Sequence, residues 1–398
     1  MKKFGLLYFI PLFIAMGCLY FGKAKINTLF FEKELSVTID SSYRYLDNFK
    51  NNKFYEDQFL LSNDSTETIF LLGSSELTDA TEAIPYNFIN NNFKTKLRAI
   101  GHAGNQCFSI YSQLLANENR LKDAPIVIII SPSWFQSTNA KGTTSPLFLE
   151  FNSIRFLNNI LQNNSISIFK QYESERISDF YNEIGNPDLS LKLLVLENKY
   201  SENIFQRLFY FPIIEIDKVL NSMKFEFMYI NNKNTNTKKI NRKPIISEQV
   251  TINWDSLFNN SKQEQINNST NNNWCVDSGY YNKYINGKNS SISPVNEEDN
   301  QELKDFIMLI KLLKTQKANA SFIIIPLNSY YYTNLNQLSP LVNTLETEIT
   351  RNNFPILNLW NADTNKFEKG ILKDVMHLGK YGWYKVDKFI VETYKLAK

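Results

Sequence analysis

From residue 69 onward, short apolar runs alternate with stretches of helical spacing. The runs lie at 69–72, 97–100, 126–130, 322–325 and 356–359, and only Arg98 and Asn358 interrupt them. Runs that are continuously apolar, rather than alternating with polar residues, predict strands buried on both faces of a parallel sheet. Between them, residues 109–121, 301–314 and 341–351 place apolar residues at helical spacing, and the tail from Trp383 reads as a closing helix. A strand–helix–strand alternation of this kind is the signature of an α/β fold.

Two regions interrupt the alternation. Residues 145–230 carry Phe151, Ile154, Phe156, Leu157 and Ile160, then Leu191, Leu193, Leu194 and Leu196, and read as helical. Residues 231–295 are rich in Asn, Ser and Lys, with Trp254, Trp274, Tyr280, Tyr281 and Tyr284 set among them. A disordered linker rarely keeps so many large aromatics, so 145–295 is expected to be a long, ordered helical and irregular insertion, a cover over the site, with mobile tips near 231–239 and 259–273.

The front of the chain follows a different pattern. Lys2 and Lys3 precede an uncharged apolar stretch at 4–22, closed by Lys23 and Lys25. Its length matches the roughly 20 residues a helix needs to cross a bilayer, and the leading lysines orient it with residues 1–3 in the cytoplasm. Three other readings remain open: a signal peptide cleaved after Ala24, a lipid-modified Cys18, or a core helix of the folded domain. Under the first of the four the protein is a single-pass membrane protein. Its segment 23–64 is then a juxtamembrane stalk, with Phe30, Phe31, Leu35, Tyr43 and Phe49 as a packed face, and 65–398 lies outside the cytoplasm.

Composition narrows the field. A hydrophobic share of 43% with 14% aromatics describes a folded chain. The net charge of +3 comes without a Lys/Arg cluster, which argues against nucleic acid. Three cysteines make no disulfide framework; with Cys18 in the apolar run, Cys107 and Cys275 are the one candidate pair, and scattered cysteines more often remain buried thiols. No Cys-x-x-Cys or His/Cys cluster suggests a zinc site.

The chemistry-bearing strings sit where strands end. In an open parallel sheet, ligands bind beyond the carboxyl ends of the strands. Gly73-Ser74-Ser75-Glu76-Leu77 follows the first strand directly, so either serine can lie on that edge. A serine hydroxyl needs a base to become a nucleophile, and the plain alternative is a helix N-cap. The chain has two histidines, His102 and His377. Asp374 lies three residues before His377, within reach of its imidazole in a turn, which suits an orienter and a general base. The alternative is a surface histidine capped by its neighbour. Gly101-His102-Ala103-Gly104-Asn105-Gln106 follows the second strand. There the Gly104 amide and the side chain of Asn105 or Gln106 can donate to an oxyanion, with His102 a loop residue; an ordinary βα loop is the alternative. Ser131-Pro132-Ser133-Trp134-Phe135 follows the third strand, where Trp134 can wall a pocket or simply pack. Glu76 can meet a cationic amine or merely favour a helix dipole.

Taken together, these strings resemble the DltD family, the D-alanine transfer proteins of teichoic acid D-alanylation, whose domain is SGNH/GDSL-hydrolase-like. The resemblance extends through Asn253-Trp254, residues 270–273, Asp277, Tyr280-Tyr281, Leu378-Gly379 and Gly382-Trp383, nearly the whole chain. It implies a three-layer fold with a parallel sheet and one N-terminal transmembrane helix. Ser75 is then the nucleophile, His377 the base and Asp374 its orienter, with Ser74 where the wider superfamily has aspartate and Gly104 matching its glycine. The superfamily's third-block asparagine has no counterpart among residues 131–135. The implied activity is acyl transfer of D-alanine to a polyol-phosphate polymer outside the membrane, with a membrane-bound O-acyltransferase and a D-alanyl carrier protein as partners and no metal or other cofactor. A secreted esterase that deacylates cell-wall glycans, and a non-catalytic tether for carrier or polymer, are the rival readings.

Overall fold

The computed structural model describes residues 68–79, 81–101, 103–152, 157, 160–161, 167–180, 183–185, 187–211, 213–214, 252–269 and 274–397, with Ile14 and Gly17. The stalk, His102, the 231–239 tip and all the rest of the apolar run lie outside them. Among the described residues no helix is long and apolar enough to cross a membrane.

The chain folds as two compact units. Within Asn63–Leu114, Glu118–Phe148 and Lys243–Lys398, five parallel strands form one sheet: β1 (Thr68–Gly73), β2 (Lys96–Gly101), β3 (Pro125–Ile130), β4 (Asn319–Ile324) and β5 (Ile356–Asn358), in the order β2-β1-β3-β4-β5. Each strand expected from a continuous apolar run is there. β1 to β4 are buried almost throughout, including the edge strand β2, but all three residues of the other edge strand, β5, are only half-buried.

The helices of this unit follow from the crossovers. They are α1 (Pro85–Asn92), α2 (Cys107–Leu115), α7 (Trp254–Asn267), α8 (Gln301–Thr315), α9 (Ser339–Arg351) and α10 (Lys380–Tyr394). Strand order steps one way from β1 to β2 and the other way thereafter, so right-handed crossovers put α1 on one face and α2, α8 and α9 on the other. The packing agrees: α10 lies on α1 and α7 on α10, whereas α8 packs on α9 and accepts the Cys107 amide on Glu302 at 2.8 Å.

Three expectations need correction. The helix foreseen over 109–121 ends at Leu115, and a separate 3₁₀ turn covers Glu118–Arg120. The mobile tip foreseen at 259–273 is helical as far as Asn267. Its Asn253 caps the first turn by accepting the Ser256 amide at 3.0 Å, and Trp254 and Phe258 lay their rings against Phe88 and Tyr381 at 5.6 and 5.8 Å. Two aromatic anchors and a cap outweigh an Asn-rich composition. Helix α1 has no counterpart among the expected elements, for the same compositional reason. Its Pro85 starts the helix, Tyr86, Phe88 and Ile89 are buried, and the Asn90 amide donates to Tyr86 O and Leu97 O at 2.7 and 3.0 Å.

The second unit includes Leu149–Arg242. Its α4 (Ile168–Ser178) and α5 (Pro187–Tyr200) pack against each other, as the helical spacing of this region predicts. The Ser167 hydroxyl caps α4, and the Tyr200 hydroxyl donates to Ile160 O at 2.5 Å. The short helix α3 (Ser145–Phe151) precedes this pair, and the following helix α6 (204–211) exposes Phe205, Leu208 and Phe209.

Candidate active site

Strand β1 changes direction at its carboxyl end because two glycines let backbone come close to backbone. Gly73 and Gly101 are register partners at the ends of β1 and β2. A Cβ on Gly101 would stand 2.4 Å from Gly73 O, and one on Gly73 would stand 2.5 Å from the Glu76 carboxylate. The chain then enters a 3₁₀ turn over Ser75–Thr78, closed by the Leu77 amide on Ser74 O at 3.1 Å and the Thr78 hydroxyl on Ser75 O at 2.6 Å. Ser74 and Glu76 are buried and Ser75 is half-exposed, so the turn presents one hydroxyl outward. Its position at the β1 carboxyl end, where strand order reverses between β2 and β3, is the switch point at which such sheets bind ligands.

The second partner comes from beyond β5. Leu372 and Leu378 bridge across the base of a loop whose tip carries Asp374 to His377. One Asp374 oxygen accepts the Met376 and His377 amides at 2.9 and 2.7 Å; the other lies 2.8 Å from His377 Nδ1. A carboxylate only accepts, so Nδ1 carries the proton and the Nε2 lone pair is left to face Ser75 Oγ, 2.9 Å away. Gly382 lets α10 begin tight against this loop, since a Cβ there would meet Ile371 O at 2.5 Å.

Electrostatics support that tautomer. Burial alone drives the His377 pKa down, but the hydrogen bond and charge of Asp374, aided by Glu76, outweigh it and raise the pKa above the ordinary 6.5. Burial pushes Asp374 up, and its bonds to His377 and to the loop amides more than reverse that, leaving it below the usual carboxylate range.

The remaining candidates divide. Gly104, at φ +89° with Leu147 2.7 Å from where a Cβ would sit, donates its amide to Ser74 Oγ at 3.2 Å. Asn105 and Gln106 are not presented as free oxyanion donors. The Asn105 amide is buried and donates to Gly73 O at 2.8 Å while accepting from Gln113 at 3.3 Å. Gln106 reaches Asn139 O at 3.5 Å. Both tie loops together, because polar side chains enclosed between strand ends must satisfy backbone groups there. Trp134 is buried in its own 3₁₀ turn, Pro132–Phe135, so it packs rather than walls a pocket. Glu76 is 3% exposed and turned onto the Ser74 amide, so it offers no solvent-facing carboxylate to an amine. Cys107 and Cys275 are separate buried thiols. Among the described residues no three His, Cys, Asp or Glu side chains are grouped as metal ligands.

Asn328, just past β4, escaped the sequence reading. Wholly buried, it donates its backbone amide to Val375 O at 2.9 Å and its side chain to Trp274 O at 2.9 Å, and accepts the Tyr330 and Tyr331 amides. It braces the Asp374–His377 loop together with Asp277, whose amide donates to Lys373 O at 2.6 Å. The one signal in the sequence was position: a polar residue at the carboxyl end of a buried strand. Tyr280 lies close enough to the Asp374 charge that burial and this carboxylate push its phenol up to about 12.

Comparison with known proteins bears on the whole of this layout. The family model described as DltD protein matches residues 42–395. The chain is 25% identical over 350 residues to "Protein DltD" of Bacillus subtilis (strain 168), covering 82% of each chain. It is 21% identical over 337 residues to "Protein DltD" of Staphylococcus aureus (strain NCTC 8325 / PS 47), covering 82% of this chain and 80% of that one. A match that runs through the β1 turn, the sheet and the loop after β5 means that this chain belongs to the DltD family.

Proposed function

We propose that this chain is a membrane-anchored, extracytoplasmic acyltransferase of teichoic acid D-alanylation, built on an SGNH-hydrolase-like three-layer domain. The observation that carries the reading is the continuous Ser75–His377–Asp374 relay, 2.9 Å and 2.8 Å between heavy atoms. Family membership supports the D-alanyl group and the surface polymer; the uncharged run at 4–22 supports an anchor with the rest of the chain outside.

The chemistry follows from that relay. Ser75 Oγ attacks the carbonyl carbon of a D-alanyl ester as His377 Nε2 takes the serine proton. Asp374 holds the imidazole in its tautomer and stabilises the imidazolium. Gly104 N–H, which donates to Ser74 Oγ at 3.2 Å in the resting site, is the donor for the developing oxyanion once it exchanges that hydroxyl for the substrate oxygen. The leaving alcohol departs with the proton from His377, and D-alanyl remains as an ester on Ser75. A polymer hydroxyl then gives its proton to His377 and attacks that ester, which frees Ser75 and leaves D-alanine on the polymer. One ester replaces another, so the exchange needs no phosphoanhydride or metal. A membrane-bound O-acyltransferase and a D-alanyl carrier protein upstream supply the acyl group.

The test is complementation of a strain lacking its own copy, read as D-alanine ester released from the cell surface by mild alkali. The native chain is expected to restore the ester and Ser75→Ala to restore none. Full restoration by Ser75→Ala ends the proposal.

A further inference from the structure

Beside the reactive hydroxyl lies a carboxylate that the proposed chemistry leaves unused. Glu76 is the residue after Ser75, yet its side chain folds back under the turn, where it is 3% exposed. Its Oε1 accepts the Ser74 amide at 2.5 Å. That amide lies at the entry to the 3₁₀ turn, one residue before Ser75, so the carboxylate clips the turn beneath the serine. The clip extends through Ser74, whose hydroxyl accepts the Gly104 amide at 3.2 Å. It depends on Gly73 as well, because a Cβ there would stand 2.5 Å from Glu76 Oε1. On the far side, Asn105 holds Gly73 O at 2.8 Å. Strand end, Glu76, Ser74 and Gly104 are therefore bonded in one short circuit around Ser75.

We propose that Glu76 is a positioning residue for Ser75: its buried carboxyl group holds the amide that enters the serine turn and so sets the approach of Oγ to His377 Nε2. The proposal rests on Ser75 being the nucleophile. What it adds is the reason for a buried acid at the next position. Ser75 has no covalent constraint on its own rotamer, and the 3₁₀ turn that carries it is only four residues long. Short 3₁₀ segments have poor hydrogen-bond geometry of their own. A buried carboxyl oxygen fixed on the Ser74 amide supplies the missing rigidity. Displacing a reacting atom by about 1 Å is enough to lower a rate about 10²-fold.

The experiment uses the full-length protein in detergent, with p-nitrophenyl acetate turnover and the rate of fluorophosphonate labelling of Ser75 as readouts, and thermal unfolding as a check on folding. Glu76→Ala is expected to lower kcat and the labelling rate about 10²-fold with KM changed less than about threefold. Glu76→Gln retains an oxygen for the Ser74 amide and is expected to recover most of that loss. Gly73→Ala crowds the carboxylate most closely and Leu77 less so, and its effect should shrink in the Glu76→Ala background. A folded Glu76→Ala with native kcat and labelling overturns the proposal, as does a folded Glu76→Gln no better than Glu76→Ala. Ser75→Ala separates the two failures. If it is inert while Glu76→Ala is native, only the positioning role falls; if it turns over ester and is labelled like the native chain, the reading of Ser75 falls and takes this proposal with it.

Discussion

Ser75 Oγ and His377 Nε2 stand 2.9 Å apart although 302 positions separate them in sequence. Strands β3 and β4 lie between β1 and β5 in the sheet, so the loop after β5 must return along the carboxyl edge to reach the β1 turn. It is held there from three sides. Asn328 and Asp277 grip its backbone, and the Lys373 ammonium pairs with Asp79, just past the serine turn, at 3.0 Å.

The pH dependence of activity follows from the groups around His377. The imidazole must be neutral to accept the Ser75 proton, and its pKa lies above the ordinary 6.5 because Asp374 and Glu76 outweigh burial, with Lys373 opposing them. Ester turnover is therefore expected to rise with pH along an acid limb centred above 6.5. Asp374→Asn removes the main raising influence and leaves burial, so the limb moves to lower pH while the rate falls about 10³- to 10⁴-fold. An unshifted limb in the variant means that another group sets the profile.

Backbone proximity at the strand ends makes Gly101 intolerant of any side chain. A Cβ there would lie 2.4 Å from Gly73 O and 2.6 Å from Gly73 C, distances only a shift of the strands can relieve. Gly101→Ala is expected to lower stability by about 1–3 kcal/mol, as overpacking does, and to lower activity further because β1 carries the serine turn. Urea unfolding of native and variant chains measures the first. An unchanged midpoint would show that the strand ends are looser than described.

Asp387 in α10 is wholly buried, and neither of its oxygens has a hydrogen-bond partner among the described residues. Burial pushes its pKa well above the ordinary 3.8. The folded chain then keeps a proton that the unfolded chain gives up, so this group lowers stability as pH rises above 3.8, up to its folded pKa. Each pH unit in that window costs about 1.4 kcal/mol. Asp387→Asn cannot ionise and is expected to be more stable at neutral pH and to flatten the decline. Denaturant midpoints at acid and neutral pH test it; parallel slopes in the two proteins refute it.

Neither described cysteine is poised to react. Cys107 is buried beside Glu302 and Asp305, with burial and those acids raising its thiol pKa well above 9.0, and Cys275 is buried and also raised. A thiol reagent at neutral pH is expected to label Cys107 and Cys275 only after denaturation, with equal labelling whether or not a reductant is present. Peptide mapping of the labelled sites reads this out, and reductant-dependent labelling would reveal a disulfide.

Much of the sheet was legible in the residues. A run such as Ile126 to Ile130 has no polar position to face water, so it belongs inside a parallel sheet wherever the rest of the chain goes. Helices written in Asn were not legible: Pro85–Asn92 and Trp254–Asn267 look like loops until Phe88, Trp254, Phe258 and Tyr381 are seen to meet ring against ring. Asn105 and Trp134 show the same limit within the site. Their residue types suit an oxyanion donor and a pocket wall, but burial among neighbours assigns them to bracing and packing.

The sequence by itself determined what short stretches of chain can do. Three residues suffice for Asp374 to reach His377, and Gly73 permits the bend that follows β1, because these geometries depend on bonds and sterics within a few positions. Only the tertiary structure decided that the outward serine is Ser75, that Ser74 and Glu76 turn inward, and that an imidazole from beyond the far edge strand arrives at that hydroxyl. Those outcomes depend on strand order and on close packing among residues hundreds of positions apart, which no local pattern encodes.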